Sequence, residues 1–169
     1  MVDLSLLRDM VAIAGVFIGL TYYITNIREV RQNRRIALTT TLLQHFMTRE
    51  GYENIMEILS MEWDSIEDFM SKYDHRVDRN YAARRMALWN TCNTLGYLYR
   101  EGSLDLKTIY SASGGIIINI WNKFKPIIEY YRSTDFPENA YEDFEFLAKD
   151  LEDLIPESTL SLWKDRTLL

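Results

Sequence analysis

The sequence predicts an all-α protein in which an N-terminal transmembrane helix continues into a cytoplasmic helical bundle. Three observations carry this prediction. Pro and Gly are scarce, at 3 and 7 of 169 residues, which favours long helices over a turn-rich sheet. The eighteen residues 10–27 carry no charge. Beyond them, apolar residues recur at helical spacing, and no long segment alternates with the period of two that is typical of strands.

The uncharged run has the length of a membrane span. As an α-helix, eighteen residues measure about 27 Å, close to the roughly 30 Å hydrocarbon layer of a bilayer. Arg8 lies near one end, where a long side chain can reach the interface. Tyr22 and Tyr23 lie near the other end, where amphipathic rings are favoured. We therefore expect the lipid bilayer to be a partner of this segment.

Two other interpretations of the uncharged run fit less well. A cleaved signal peptide begins with a positive region, whereas Asp3, Arg8 and Asp9 sum to a negative charge. A buried helix of a soluble protein does not require eighteen uncharged residues on all of its faces. A membrane span remains the favoured interpretation.

Four arginines follow the span and form what we call the basic collar: Arg28, Arg31, Arg34 and Arg35. Residues 1–36 carry a net charge of +2 (five Arg against three acidic residues), which leaves −8 for residues 37–169. The positive-inside rule then predicts a single-pass protein of the inner membrane with its N-terminus outside and its C-terminal domain cytoplasmic. We expect two parts: a transmembrane helix with the basic collar over 1–36, and a cytoplasmic helical domain over 37–169.

The collar has three possible roles. It can serve only as a topology anchor, it can bind anionic lipid headgroups, or it can line the inner mouth of an assembled ring. Arg28, Arg31 and Arg35 are predicted to share one face of the helix.

Small and polar residues recur along the span at steps of four and three, which places them on one helical stripe. We call this set the small stripe: Arg8, Ala12, Gly15, Gly19, Tyr22 and Asn26. It contains a GxxxG motif, which allows two helix backbones to approach closely in lipid. The stripe predicts a self-association face or the lining of a central opening.

The rest of the chain predicts a series of helices. The first helix is expected to run on to about Thr48, because no Pro or Gly interrupts it. A capping box is predicted where Ser65 is followed by Asp68. The remaining helices are expected within residues 51–60, 65–73, 81–102, 104–132 (with a weak point at Gly114–Gly115 and a bend at Pro126) and 139–155, the last one stopped by Pro156.

No catalytic, metal-binding or cofactor-binding residue is predicted. The single cysteine, Cys92, is expected to be a buried apolar residue, since one thiol forms no internal disulfide. His45 is expected to pack within a helix, and His75 to lie in a solvated loop. The acidic segment 141–154 lacks the ExxH partner of a diiron site, so a solvated acidic face is favoured. Four aromatic residues are expected to build the core: Trp89, Tyr97, Trp121 and Phe124.

Several stretches resemble an uncharacterised family of small prokaryotic proteins with one N-terminal span and a cytoplasmic helical domain. They are the span with its basic collar, "LWNTCNTLGYLYREGSLDL", "IWNKFKPII" and "FEFLAKDLE". The resemblance covers most of the chain and implies an all-α fold. It carries over no catalytic residue.

The size and layout of the chain also resemble the accessory membrane proteins of RNA-targeting (type VI) CRISPR systems, which implies a pore-like oligomer in the inner membrane. Such proteins are sometimes grouped with HEPN-type domains, whose ribonuclease signature is an Arg followed by a His after four to six residues. Here Arg35 precedes His45 by ten positions, so the signature is absent.

The expected function is therefore that of a non-enzymatic inner-membrane protein. It forms a homo-oligomeric, pore-like assembly and is an accessory in antiviral defence. Its expected partners are the bilayer, further copies of the chain and a cytoplasmic defence protein; a net charge of −6 gives no strong signal for nucleic acid. Two alternatives stay open: a membrane-tethered scaffold that recruits a cytoplasmic partner, and a degenerate HEPN-like ribonuclease.

Overall fold

A computed structural model describes residues 4–155, without the side chains of residues 4–7, 9, 31, 35, 38, 39 and 45. Within this range the chain is all-α, and no strand occurs. The elements are α1 (Leu4–Met47), α2 (Arg49–Leu59), α3 (Ile66–Tyr73), α4 (Arg79–Arg100), α5 (Leu106–Ile109), a π-helical turn (Tyr110–Gly114), α6 (Gly115–Thr134) and α7 (Glu142–Glu152). The predicted fold class is confirmed.

The chain divides into two units, Met1–Thr40 and Thr41–Leu169. The first unit contains most of α1, which is one uninterrupted α-helix from Leu4 to Met47. The helix thus continues past the uncharged run and through the basic collar, as the absence of Pro and Gly predicts. The second unit contains the end of α1 and all later helices.

Side-chain caps set the beginnings of four helices in the second unit. Thr48 accepts a hydrogen bond from the Gly51 amide and separates α2 from α1. The predicted cap is present at α3, where Ser65 accepts from the Asp68 amide at 3.2 Å. The Asp68 carboxylate accepts in return from the Asp64 amide at 3.1 Å, one residue before the cap amide that a capping box pairs. The other two caps are aspartates, Asp78 for α4 and Asp105 for α5. Each cap satisfies an amide that the helix itself cannot pair.

The predicted helix over 104–132 is helical from Leu106 onward and contains one irregular turn. α5 passes into a π-helical turn over Tyr110–Gly114, which ends at the predicted weak point, and α6 begins at Gly115. The helix then continues through Pro126, where the sequence predicts a bend. The last helix, α7, ends at Glu152, ahead of Pro156, which lies outside the described residues.

In the second unit, the backbones of α4 and α7 approach each other closely. A Cβ atom at Gly96 would lie 2.0 Å from the carbonyl oxygen of Asp143, so only glycine fits there. The Asn93 side chain accepts a hydrogen bond from the Phe144 amide at 3.1 Å and so pairs an amide in the first turn of α7. Arg100 pairs with Asp143 at 2.6 Å. These contacts hold the two helices in register.

Aromatic rings fill the core of the second unit. Trp89, Trp121 and Phe124 are buried as predicted, and the Trp89 and Phe124 rings contact edge to face at 5.4 Å. The expected core position of Tyr97 is wrong, because its side chain is 52% exposed. Tyr97 follows Trp89 by eight residues, which turns it about 80° past the buried face of α4.

Candidate functional site

The first unit contains the strongest functional feature, the segment Met10–Arg34 of α1. Among the described residues, this is the one helical segment long and apolar enough to cross a membrane, and none of the side chains in its most apolar window is buried. Large apolar side chains such as Val16, Phe17 and Ile18 are 65–71% exposed. Such exposure is costly in water and favourable in lipid. A helix of this kind near the N-terminus is the expected form of a membrane anchor.

All six residues of the small stripe are exposed on α1. A Cβ atom added at Gly15 or Gly19 would meet no atom within 4 Å. This contrasts with Gly96, where the neighbouring backbone leaves no room. The fold of a single chain therefore does not require glycine at either position of the GxxxG motif, and both backbones are open to another helix.

The continuous helix places three of the four arginines of the basic collar on the opposite face from the small stripe. Arg28 follows Gly19 by nine residues, which is about two and a half turns, so the two lie on opposite sides of α1. Arg31 and Arg35 follow Arg28 by three and seven residues, so their positions share its face of the helix. Their side chains are outside the described part of the structure. Arg34 lies between the two faces and is exposed. The stripe and the three arginines therefore cannot both line one central axis.

Two of the residues considered for catalysis have described side chains, and they lie in different surroundings: His75 is exposed and Cys92 is buried. His75 lies in the turn between α3 and α4, with its side chain 53% exposed, as predicted, and its Nδ1 3.3 Å from the Asp74 carboxylate. Cys92 is fully buried in α4, and burial raises the pKa of its thiol, so it is a packed apolar residue rather than a nucleophile. The His45 side chain lies outside the described residues. No group of three His, Cys, Asp or Glu able to hold a metal occurs among the described residues.

Sequence reasoning missed a polar groove of about 710 Å³ in the second unit. It lies where the end of α1, α2 and α4 meet, and it is lined in part by Gln44, Glu50, Asn54, Glu57 and Arg84. Glu57 forms an ion pair with Arg84 across the groove. A hydrogen bond to Glu57 also raises the pKa of Tyr81. The glutamates of α2 recur at helical spacing, so the sequence pattern could have revealed their shared face. Their pairing with Arg84 could not be predicted in this way, because Arg84 lies 27 residues after Glu57.

A second feature that the sequence did not reveal is a buried polar network. The Tyr131 hydroxyl donates to the Asp74 carboxylate at 3.0 Å, and the Arg76 amide donates to its other oxygen at 2.9 Å. Burial opposes ionisation of Asp74, but these two hydrogen bonds, together with the charges of His75 and Arg76, leave its pKa below the usual value. Burial also raises the pKa of Tyr131 to about 12.

Arg85 lies near this network and is itself buried. Its guanidinium donates to the Tyr73 carbonyl at 3.0 Å and stacks over Phe69 and Trp89, with 4.8 and 5.2 Å from Cζ to the ring centroids. Burial lowers the pKa of Arg85, and the nearby Tyr131 and Asp74 oppose that effect. The network joins α3, α4 and α6 and is enclosed by aromatic rings, which indicates a structural role.

Comparison with known proteins identifies one family. A model of a domain of unknown function, DUF4760, matches residues 9–151, which include the apolar segment Met10–Arg34 and the second unit as far as the last turn of α7. No curated protein and no solved structure gives a match.

Proposed function

The chain belongs to the DUF4760 family, and we propose that it is a non-enzymatic, single-pass inner-membrane protein that assembles with copies of itself into a pore-like structure. The observation that carries the proposal is the exposure of the apolar segment Met10–Arg34, in which Gly15 and Gly19 are open to a neighbour. Apolar exposure calls for lipid, and the open glycines allow a second helix to pack closely. The resemblance in size and layout to the accessory membrane proteins of type VI CRISPR systems supports a role in antiviral defence.

The small stripe and the three arginines lie on opposite faces of α1, which limits how the helices can be arranged in the proposed assembly. We assign the small stripe to the contacts between neighbouring helices, because glycine contributes most where backbones touch. Arg28, Arg31 and Arg35 then surround the cytoplasmic end of the span and act on ions or headgroups through their field. On the same helix, the small stripe is then the surface that contacts neighbouring helices, and the three arginines form the surface that acts through charge.

Orientation follows from the collar. Four arginines lie on the C-terminal side of the span and one, Arg8, on the N-terminal side. The proposed topology places the second unit in the cytoplasm. A reporter fused after Leu169 should then be active only in its cytoplasmic form, and the chain should stay in the membrane fraction after a carbonate wash. Periplasmic activity of the reporter would overturn the topology, and release by carbonate would overturn the membrane anchor.

One observation favours a second function, that of a membrane-tethered scaffold. The polar groove beside α2 offers Glu50, Asn54 and Glu57 on an open surface of an acidic domain. Such a surface suits a basic segment of a cytoplasmic defence protein. Ion flux separates the two functions, because a scaffold recruits its partner without permeabilising a liposome.

A further inference from the structure

The outward face of α2, together with Met47 at the end of α1, carries an apolar patch. Met47, Tyr52 and Met56 are 68%, 51% and 56% exposed, and all three line one open groove of about 620 Å³. The inward face of the same helix buries Ile55 and Ile58. The patch is therefore an unpartnered side of an otherwise well-packed helix.

A charged pair borders this patch. Arg49 and Glu53 also line the groove, and they pair at 2.7 Å with side chains 91% and 63% exposed. They lie four residues apart on one helical face. An ion pair this exposed contributes little to the stability of the chain itself.

The order of the two charges makes the face complementary to itself. Suppose that two copies of α2 pack antiparallel and are related by a two-fold axis that passes between their first two turns. Arg49 of one copy then lies near Glu53 of the partner subunit. The same symmetry brings Glu53 close to the partner subunit's Arg49. The apolar side chains meet at the centre, and the charges surround them, as is typical of a protein–protein interface.

We propose that the occupant of this groove is the α2 face of a second copy of the chain, so that the second unit contributes a two-fold contact of its own. The inference rests on the proposed self-association and adds to it a defined surface outside the membrane. It requires no side chain of the small stripe. The two contacts can therefore be tested separately.

Cysteine cross-linking tests the proposal in the full-length chain. The native Cys92 is buried, so the parent protein supplies an unreactive background. Tyr52→Cys places a thiol near the proposed axis, and Tyr97→Cys is the matched control, since the two tyrosines are 51% and 52% exposed. Under mild oxidation in membranes, the Tyr52→Cys chain should form a disulfide-linked dimer at least five-fold more than the control. Equal yields at both positions would indicate random collision and overturn the proposal.

Charge reversal tests the pairing itself, with both variants made in the Tyr52→Cys chain. Arg49→Glu should lower the cross-linked fraction at least five-fold, because it places Glu opposite the partner subunit's Glu53. The double variant Arg49→Glu with Glu53→Arg should restore it, since the charges are exchanged but remain complementary. Both positions are exposed, so folding is not at risk. A double variant that stays as weak as Arg49→Glu would overturn the two-fold arrangement.

The particle mass in detergent separates this inference from the proposed function. Loss of the Tyr52→Cys cross-link with an unchanged oligomeric mass would overturn the α2 contact alone. A monomeric mass without cross-linking would overturn both. Quenching of a dye on Tyr52→Cys by a bilayer-embedded quencher would identify lipid, rather than a second copy, as the occupant and would also overturn the α2 contact.

Discussion

The Tyr131 hydroxyl and the Asp74 carboxylate lie 3.0 Å apart in the interior of the second unit, although 57 residues separate them in the chain. This hydrogen bond joins the end of α3 to α6. A buried carboxylate is strongly disfavoured when it lacks hydrogen-bond donors. We therefore expect the loss of either Tyr131 or Asp74 to lower the free energy of unfolding.

Asp74 gives the protein an acid-sensitive component of stability. Folding lowers its pKa, so the unfolded chain takes up the proton at a higher pH than the folded chain does. The free energy of unfolding should therefore fall as the pH drops from the usual Asp range through the lower pKa of the folded protein. Asp74→Asn should flatten this decline and cost about 1–3 kcal/mol near pH 7.

Urea unfolding in detergent, followed by Trp fluorescence at several pH values, measures both effects. Asp153→Asn is the control, because Asp153 is exposed just beyond α7. Tyr131→Phe removes one donor, raises the pKa of Asp74 in the folded protein toward its unfolded value, and should therefore make the acid decline smaller. An Asp74→Asn variant with the same pH profile as the parent would show that this network does not contribute.

Gly96 should be intolerant of any side chain. Gly96→Ala would place a methyl group 2.0 Å from the Asp143 carbonyl oxygen, so α4 and α7 must separate. We expect a loss of about 1–3 kcal/mol, which is typical of overpacking. Thr94→Ala, at an exposed position of the same helix, should change the unfolding midpoint little. Equal stability of Gly96→Ala and the parent would contradict the close packing of these helices.

The features that the sequence predicted are local. The unbroken α1, the cap at Ser65 and the irregular turn that ends at Gly114 each depend on residues a few positions apart. The missed features depend on distant residues: Asp74 with Tyr131, and Glu57 with Arg84. Pattern alone also misplaced Tyr97, because the edge of a buried face is set by the helix that packs against it. Nothing in a single sequence states which helices will be neighbours.

The small stripe should decide the mass of the assembly. Gly15→Ile and Gly19→Ile add bulk where the single chain leaves open space, so neither should disturb the fold of the chain itself. Each should prevent close helix approach and lower the particle mass in detergent. Ala14→Ile is the matched control, since it adds a similar side chain about 100° away from Gly15. An unchanged mass in both glycine variants would place the self-association outside the span.

The basic collar should act through its charge. In the proposed assembly, Arg28→Glu with Arg35→Glu should alter the ion selectivity or abolish the membrane effect, because it reverses the field at the C-terminal end of the span. The Lys versions should retain the parent behaviour, since a field does not require guanidinium geometry. If the arginines only anchor headgroups, the Glu variant should show the selectivity of the parent, and the proposed electrostatic role is then wrong.

Ion flux through liposomes that contain the purified full-length chain tests the pore-like assembly most directly. The parent protein should release an entrapped ion faster than empty liposomes do. Ala14→Ile should match the parent, whereas Gly15→Ile should lose the flux together with the oligomeric mass. Flux from the parent no faster than from empty liposomes would contradict the pore-like function and leave the membrane-tethered scaffold as the better account.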